Sequence, residues 1–180
     1  MSRLARFEKS VLPHIDAAYN LARWLTRNDH DAEDVVQEAF MRAFRYFDSL
    51  TDADGRPWLL AIVRNTCYTW LEKNRPAEVV ALEDSGIVPE EAETIGHASP
   101  SDSNPEVIVL LSAQRKLVNQ ALEELPVGYR EVLVMRELEE LTYKEIAQVA
   151  GIPIGTVMSR LARGRDLLRR AIEKRERRAS

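Results

Sequence analysis

The sequence lacks most of the features that mark secreted and membrane proteins. Its 180 residues include a single cysteine, Cys67, so a disulfide cannot form within the chain. No apolar run approaches the roughly 20 residues of a membrane-spanning helix, and the chain opens without the apolar stretch of a secretory signal. We therefore expect a cytoplasmic protein without membrane insertion, in which Cys67 is a small buried thiol.

Residue groupings typical of enzyme sites are also missing. The Glu-x-x-His pairs of di-iron bundles are absent, and no nucleophile is grouped with a base. One segment concentrates potential metal ligands, namely His30, Asp31, Glu33, Asp34 and Glu38. A metalloenzyme built on this segment is one alternative, but we expect no enzymatic activity, no metal and no cofactor.

The spacing of apolar residues predicts an all-α fold. In the first 75 residues they recur every three or four positions in three segments. These predict one helix from about Ser10 to Arg27, a second from near Asp31 and a third from Pro57. No segment shows the alternation of a strand.

The middle of the chain is typical of a linker. Residues 75–105 contain four prolines, two glycines and little periodicity. Helical patterns resume after Pro105, and Pro126 and Gly128 interrupt them. We predict two small helical domains, 1–75 and 106–180, joined by a flexible acidic linker over 76–105.

The segment 141–168, LTYKEIAQVAGIPIGTVMSRLARGRDLL, predicts a helix-turn-helix. Thr142 and Glu145 have the spacing of a capping box, Gly151 suits a left-handed turn, and Pro153 suits a helix start. In the second helix an apolar stripe leaves the polar residues on other faces. These are Thr156, Ser159, Arg160, Arg163 and Arg165. The pattern indicates DNA binding, and a plain helical hairpin with solvated arginines is the alternative.

Charge is distributed unevenly along the chain. The formal net charge is −4, but residues 76–106 carry 8 acidic and no basic side chains. Residues 151–180 carry 9 basic and 3 acidic side chains, a local charge of +6. Because nucleic-acid affinity follows the local field, the overall negative charge does not exclude a DNA-binding protein.

The order of these parts resembles the extracytoplasmic-function group of bacterial sigma factors, which retain sigma regions 2 and 4. The resemblance rests on DAEDVVQEAFMRAFRYFDSL (31–50), RPWLLAIVRNTCYTWLEKNRP (56–76) and ELPVGYREVLVMRELEELTYKEIAQVAGIPIGTVMSRLARGRDLL (124–168). It implies a protein that binds core RNA polymerase and directs promoter recognition, DNA melting and transcription initiation. The implied partners are the β′ clamp and the β subunit of the polymerase, promoter DNA and an anti-sigma factor.

The resemblance assigns roles to two faces of the first domain. The second helix would dock on the clamp coiled coil of β′ through Asp34, Gln37, Glu38, Met41 and Arg42. The third helix would bind the melted minus-ten strand through Arg64, Asn65 and Tyr68. From the residues alone, the first set also fits a solvated face, and Tyr68 also fits a packed ring with a wet hydroxyl. The loop 48–56 corresponds to the base-capturing loop of the family.

The second helix of the helix-turn-helix would enter the major groove at the minus-thirty-five element. Thr156, Ser159, Arg160 and Arg163 are then the residues that read bases or hold phosphates. Met158 stands where many relatives carry a basic residue, so the base preference is not assigned.

The reach of the linker gives a physical expectation. Two elements separated by two helical turns lie roughly 70 Å apart, whereas a flexible 30-residue linker spans about 30 Å on average. The free protein should therefore bind duplex promoter weakly, because core polymerase must hold the domains apart. The acidic linker itself fits either a segment in a basic polymerase channel or a solubilising spacer.

Two further alternatives remain from the sequence. A conventional helix-turn-helix regulator would need a dimer surface and usually a ligand or phospho-acceptor site, and neither is evident. A sigma-like decoy that sequesters an anti-sigma factor would share all of these motifs.

Overall fold

The computed structural model describes residues 1–50, 54–79 and 105–180, with only the backbone described for 105–111. Within these ranges the chain forms helices and no strand. The α-helices are α1 (Arg3–Val11), α2 (Ile15–Thr26), α3 (Asp29–Arg45), α4 (Gly55–Asn74), α5 (Pro105–Glu123), α6 (Val127–Leu133), α7 (Tyr143–Ala150) and α8 (Ile154–Ala179). The predicted all-α fold is confirmed.

Helices α2, α3 and α4 pack against one another and form the centre of the first domain. Side-chain caps start two of them. The Asn28 side chain accepts hydrogen bonds from the backbone N–H groups of His30 and Asp31 at the start of α3, and Asp54 accepts one from Arg56 at the start of α4. Small buried residues of α3, among them Ala39, let the helices approach closely.

The end of α4 is tied to the two helices beside it. Arg75 donates a hydrogen bond of 2.7 Å to the carbonyl oxygen of Thr26 and one of 3.3 Å to the Asp31 carboxylate. This guanidinium therefore satisfies an open carbonyl near the C-terminus of α2. Its role in the described structure is to hold the three-helix arrangement.

The predicted first helix over Ser10 to Arg27 is wrong in one respect. The chain forms α1, then a 3₁₀ turn over Leu12–His14, then α2. Pro13 lies in that turn and lacks the N–H that a continuous α-helix would use. Helix α1, which the spacing of apolar residues did not predict, buries Phe7 against the rings of Phe44 and Phe47 at 5.2 and 5.4 Å.

The second domain contains α5 to α8, and α6 continues into a π-helical turn over Val134–Leu138. The predicted break at Pro126 is confirmed, since this residue caps α6. The predicted break at Gly128 is wrong, because Gly128 lies inside α6 and is buried. Arg130 is also buried on α6, and its guanidinium donates to the carbonyl oxygens of Glu123, Leu125 and Leu25.

The two domains pack against each other. Helix α4 lies along α7, and α2 lies along α6, so that the buried apolar residues form one continuous core. Arg130 takes part in this contact, since Leu25 belongs to α2 of the first domain. The sequence did not predict the contact, because nothing in its periodicity indicates which faces of separate domains meet.

The predicted linker lies mostly outside the described residues. Of its range, the structure describes a 3₁₀ turn at Pro76–Glu78, then Val79, and again from Pro105, where α5 begins. Glu78 pairs with Arg27 at the end of α2. Among the residues described, none of the helices is long and apolar enough to cross a membrane.

A substitution of Gly55 tests how closely α4 approaches α1 in the first domain, and a substitution of Gly155 is its control. A Cβ on Gly55 would lie 2.7 Å from the backbone oxygen of Ser10, whereas a Cβ on Gly155 of α8 would meet nothing within 4 Å. We expect Gly55→Ala to lower the free energy of unfolding by about 1–3 kcal/mol, because backbone must move. Gly155→Ala should raise it by up to about 1 kcal/mol through helix propensity.

Urea unfolding followed by circular dichroism measures both changes as shifts of the midpoint at constant slope. An unchanged midpoint for Gly55→Ala would contradict the close approach of α4 to the end of α1.

Candidate nucleic-acid and polymerase interfaces

The helix-turn-helix is built by local interactions that the sequence predicted. The N–H of Glu145 donates to Thr142 Oγ1 at 3.1 Å, and the N–H of Thr142 donates to Glu145 Oε1 at 2.9 Å, which completes a capping box. Gly151 has a φ of 67° and ends α7 in the left-handed conformation. Pro153 is the N-cap residue of α8. Val157, Leu161 and Leu168 form the buried side of that helix. These three predictions are confirmed.

The predicted DNA-reading residues lie along the first three turns of α8. Arg163 is exposed, whereas Thr156, Ser159 and Arg160 are half-buried. The Ser159 hydroxyl donates to the carbonyl oxygen of Thr156 at 3.1 Å. Arg165, which shares the helix, is instead held by Glu137 at 3.0 Å. The helix therefore presents Arg163 to solvent and uses Arg165 within the domain.

The face of α3 proposed for polymerase contact is largely exposed. Asp34, Gln37 and Glu38 are exposed, and Met41 is 72% exposed. Glu38 and Arg42 form an ion pair of 2.6 Å one helical turn apart. Methionine and arginine are both enriched at protein interfaces. The five predicted residues therefore form one continuous surface.

The face of α4 proposed for the minus-ten strand is not solvent-exposed throughout. Asn65 is exposed, but Arg64 and Tyr68 are turned toward the second domain. Arg64 makes a bidentate ion pair with Glu131 of α6, with N···O distances of 2.9 and 3.2 Å. The side chain of Glu131 is 0% exposed and that of Arg64 is 17% exposed. The pair is thus buried at the contact between the domains.

Tyr68 completes this cluster. The Arg64 guanidinium carbon lies 3.7 Å from the centroid of the Tyr68 ring, which is cation–π geometry. Burial raises the pKa of Tyr68, and the charge of Glu131 raises it further. Burial alone would lower the pKa of Arg64, but the hydrogen bond and charge of Glu131 outweigh it and raise that pKa. The tyrosine is therefore neutral and Arg64 is charged at physiological pH.

A second charged contact lies at the start of α4, eight residues before Arg64. Arg56 donates to the backbone oxygen of Glu139 and lies 3.4 Å from its carboxylate, and Asn20 donates to the same carboxylate at 2.6 Å. Arg56 belongs to the predicted base-capturing loop 48–56, of which residues 51–53 lie outside the described residues. A cleft beside this loop is lined by Ser49, Leu50, Asp54, Pro57, Trp58 and, from α7, Lys144, Glu145 and Gln148.

Glu131 and Glu139, the partners of the α4 arginines, were not predicted from the sequence. The signal for Glu131 was present, since it stands with Arg130 inside the otherwise apolar run from Val127 to Met135. Charged residues are almost never fully buried unless they are paired.

Among the described residues, no group of three metal-binding side chains comes together, including around His30.

Comparisons with known proteins match both parts of this arrangement. The family model for sigma-70 region 2 matches residues 11–76, and that for sigma-70 region 4 matches residues 115–168. The chain is 37% identical over 143 residues to the ECF RNA polymerase sigma-E factor of Escherichia coli K12, an alignment that covers 77% of this chain and 72% of that protein. The chain belongs to the ECF sigma factors.

A second relative aligns with a larger share of this chain. The ECF RNA polymerase sigma factor SigE of Mycolicibacterium smegmatis is 35% identical over 164 residues, which cover 91% of this chain. This sigma factor spans 60% of the length of that relative.

Two solved structures share the fold of this sigma factor. The sigma factor RpoE of Bartonella quintana, solved in complex with the anti-sigma factor NepR, superimposes with a TM-score of 0.66 at 24% identity and covers 93% of this chain and 96% of that one. CnrH, solved in complex with the cytosolic domain of CnrY, gives a TM-score of 0.62 at 25% identity and covers 93% of this chain and 88% of that one.

The reactivity of Cys67 tests whether α4 is buried beside Arg64, Tyr68 and Glu131. The thiol is 0% exposed, and burial, followed by the charge of Glu131, raises its pKa. Because the thiolate is the reactive form, we expect native protein to react with a disulfide reagent at pH 8 at least about 100-fold more slowly than protein unfolded in guanidinium. Absorbance of the released thiol measures both rates. Equal rates would contradict the buried position of Cys67.

Proposed function

We propose that this sigma factor binds core RNA polymerase, directs it to promoters, and supports DNA melting and transcription initiation. One observation carries the proposal: a region 2 domain with an exposed α3 face and a helix-turn-helix with an exposed basic residue occur in one chain. A conventional regulator needs only the second of these. Because core polymerase and DNA are the proposed partners, we infer that the protein acts in the cytoplasm.

The α3 face supports polymerase docking through Asp34, Gln37, Glu38, Met41 and Arg42. Met41 is the most exposed large apolar side chain of α3, and Phe44, one turn on, is also exposed at 37%. Apolar side chains that a folded monomer leaves exposed together mark interaction sites. We propose that this face binds the clamp of the β′ subunit and that the helix-turn-helix domain lies near the β subunit.

The helix α8 supports binding of the minus-thirty-five element through Thr156, Ser159, Arg160 and Arg163. The Gly151 turn sets its N-terminus apart from α7, and the buried Val157 and Leu161 leave the opposite face for DNA. Arg64, Asn65 and Tyr68 are the proposed contacts with the melted minus-ten strand, where an aromatic ring stacks on a base and cations hold the backbone.

We further propose an anti-sigma partner, because the sigma factor RpoE, which shares this fold, was solved in complex with the anti-sigma factor NepR. A protein of this class would compete with core polymerase for the sigma factor. The domain assignment 1–75, 76–105 and 106–180 remains part of this proposal.

Run-off transcription from a genomic library, with purified core polymerase and this chain, tests the proposal directly. We expect discrete transcripts that depend on the chain. Asp34→Lys combined with Glu38→Lys should weaken binding to core polymerase by about tenfold or more, because charge reversal disrupts electrostatic complementarity. Fluorescence anisotropy of labelled protein measures this binding.

Glu72→Lys is the matched control, since Glu72 is exposed on α4 of the same domain and lies outside the proposed face. It should bind core polymerase as the wild type does. A chain that binds an anti-sigma protein but never core polymerase would be a decoy, and promoter binding equally tight with and without core would indicate a conventional regulator.

Arg163 allows a test of DNA contact on α8. If it holds a phosphate, Arg163→Ala should reduce the slope of log affinity against log salt concentration by about 1 when holoenzyme binds a promoter from the library. Arg170→Ala is the control, because Arg170 is exposed on the same helix and pairs with Asp166. Equal slopes for wild type and Arg163→Ala would remove this residue from the interface.

A further inference from the structure

Two acid–arginine pairs in the contact between the two domains have matching spacing. Arg56 and Arg64 stand eight residues apart on α4, which is about 12 Å along a helix. Their partners Glu139 and Glu131 are also eight residues apart, at the end and in the middle of the α6 and π-helical segment. The two segments therefore run antiparallel, with the start of α4 paired to Glu139 and the middle of α4 paired to Glu131.

Each pair uses groups that nucleic acid would need. The two Glu131 oxygens occupy the Nε and Nη2 donors of Arg64, in the fork geometry by which arginine also binds a phosphate. The Arg64 guanidinium in turn covers a face of the Tyr68 ring at 3.7 Å, where a base would stack. A DNA strand cannot use these groups while Glu131 holds them.

The residues on either side of the proposed base-capturing loop also face the second domain. The cleft beside Ser49, Leu50 and Trp58 is closed on one side by Lys144 and Gln148 of α7. Glu139, immediately before this part of the helix-turn-helix, binds both Asn20 and Arg56 and is 11% exposed in its side chain. The second domain thus contacts Arg56 and Arg64 and also lines the cleft beside Ser49, Leu50 and Asp54, the described residues at the two ends of the loop.

We propose that Glu131 and Glu139 act as a built-in substitute for the phosphates of the minus-ten strand, so that the free chain is closed against single-stranded DNA. Binding of core polymerase, which separates the domains, releases Arg56, Arg64 and Tyr68 together. The proposal rests on the proposed function of the α4 face. It assigns a specific role to the two glutamates, which are otherwise only structural.

The contact formed by the pairs Arg64–Glu131 and Arg56–Glu139 should keep the two domains together, because each buried charge needs its partner. Removing Arg64 from Glu131 leaves a carboxylate with no exposure, so the domain must either open fully and hydrate it or keep the pair. A ligand that binds only the open form then has an apparent Kd that is raised in inverse proportion to the open fraction. Loss of the negative charges should lower that Kd.

The experiment measures binding of a fluorescein-labelled single-stranded DNA pool of random sequence to the free chain. Glu131→Gln, Glu139→Gln and the double variant keep side-chain shape and remove charge. We expect each to bind the pool more tightly than wild type, and the double variant by about tenfold or more. Glu137→Gln is the matched control, because Glu137 pairs with Arg165 inside the second domain, and it should bind as wild type does.

Spin labels at Glu72→Cys and Arg170→Cys report the arrangement of the domains, since both positions are exposed and the native Cys67 is buried. Wild type should give one short, narrow distance distribution, and the glutamine variants a longer and broader one. If Glu131→Gln does not fold, Glu139→Gln at the less buried end carries the test. A long, broad distribution in wild type would overturn the proposal without any variant.

Unchanged DNA binding in folded glutamine variants would also overturn it. That result is distinct from failure of the proposed function. A wild-type chain that supports run-off transcription while its glutamine variants bind DNA no better remains a sigma factor without a closed form. A wild-type chain that never supports transcription loses the proposed function, whatever the variants do.

Discussion

The buried ion pair between Arg64 and Glu131 is the interaction on which the arrangement of the two domains depends. A carboxylate with no solvent exposure is tolerated only with a partner, and removing one partner of such a pair typically costs about 3–5 kcal/mol. Replacing both partners by apolar residues is often neutral. The pair therefore specifies which faces meet more than it adds stability. The packing of α4 along α7 and of α2 along α6 follows from this choice.

Arg130 has a related role beside this pair. It is 2% exposed, and burial, followed by the charge of Arg27, lowers its pKa to about 10, so it stays protonated at neutral pH. Its guanidinium donates to carbonyl oxygens at the ends of α5 and α2, which would otherwise be open. One cation thus joins the domains through backbone groups, in parallel with the carboxylate–arginine pairs of α4.

The helix-turn-helix and the α3 face are set by local interactions, whereas the contact between the domains is set by residues far apart in the sequence. Thr142, Glu145 and Gly151 act on backbone groups within a few residues of themselves, so their geometry depends little on the rest of the fold. The exposure of Met41 follows from the apolar period of α3, whose buried side is set by Val35, Ala39 and Ala43. Surfaces of this kind remain available to partners whether the domains are packed together or apart.

Most of the fold could therefore be predicted from local sequence patterns. The all-α class, the starts of α3 and α4 to within a few residues, the capping box and the left-handed turn were all predictable, because caps, glycines and apolar periods act over short distances. The predictions failed at two positions for different reasons: the spacing of apolar residues does not register the local effect of a proline, and tertiary packing overrode the helix-breaking tendency of a glycine. Pro13 divides the first helix, and Gly128 is carried within α6 because it is buried there.

The sequence by itself determined the elements, the basic α8 and the exposed face of α3, since these depend on residues near one another in the chain. Only the tertiary structure decided that Arg64 and Tyr68 face Glu131, 67 and 63 positions away, instead of solvent. No helical period encodes such a distant partner. The cost of leaving a buried charge unpaired selects it once the chain has folded.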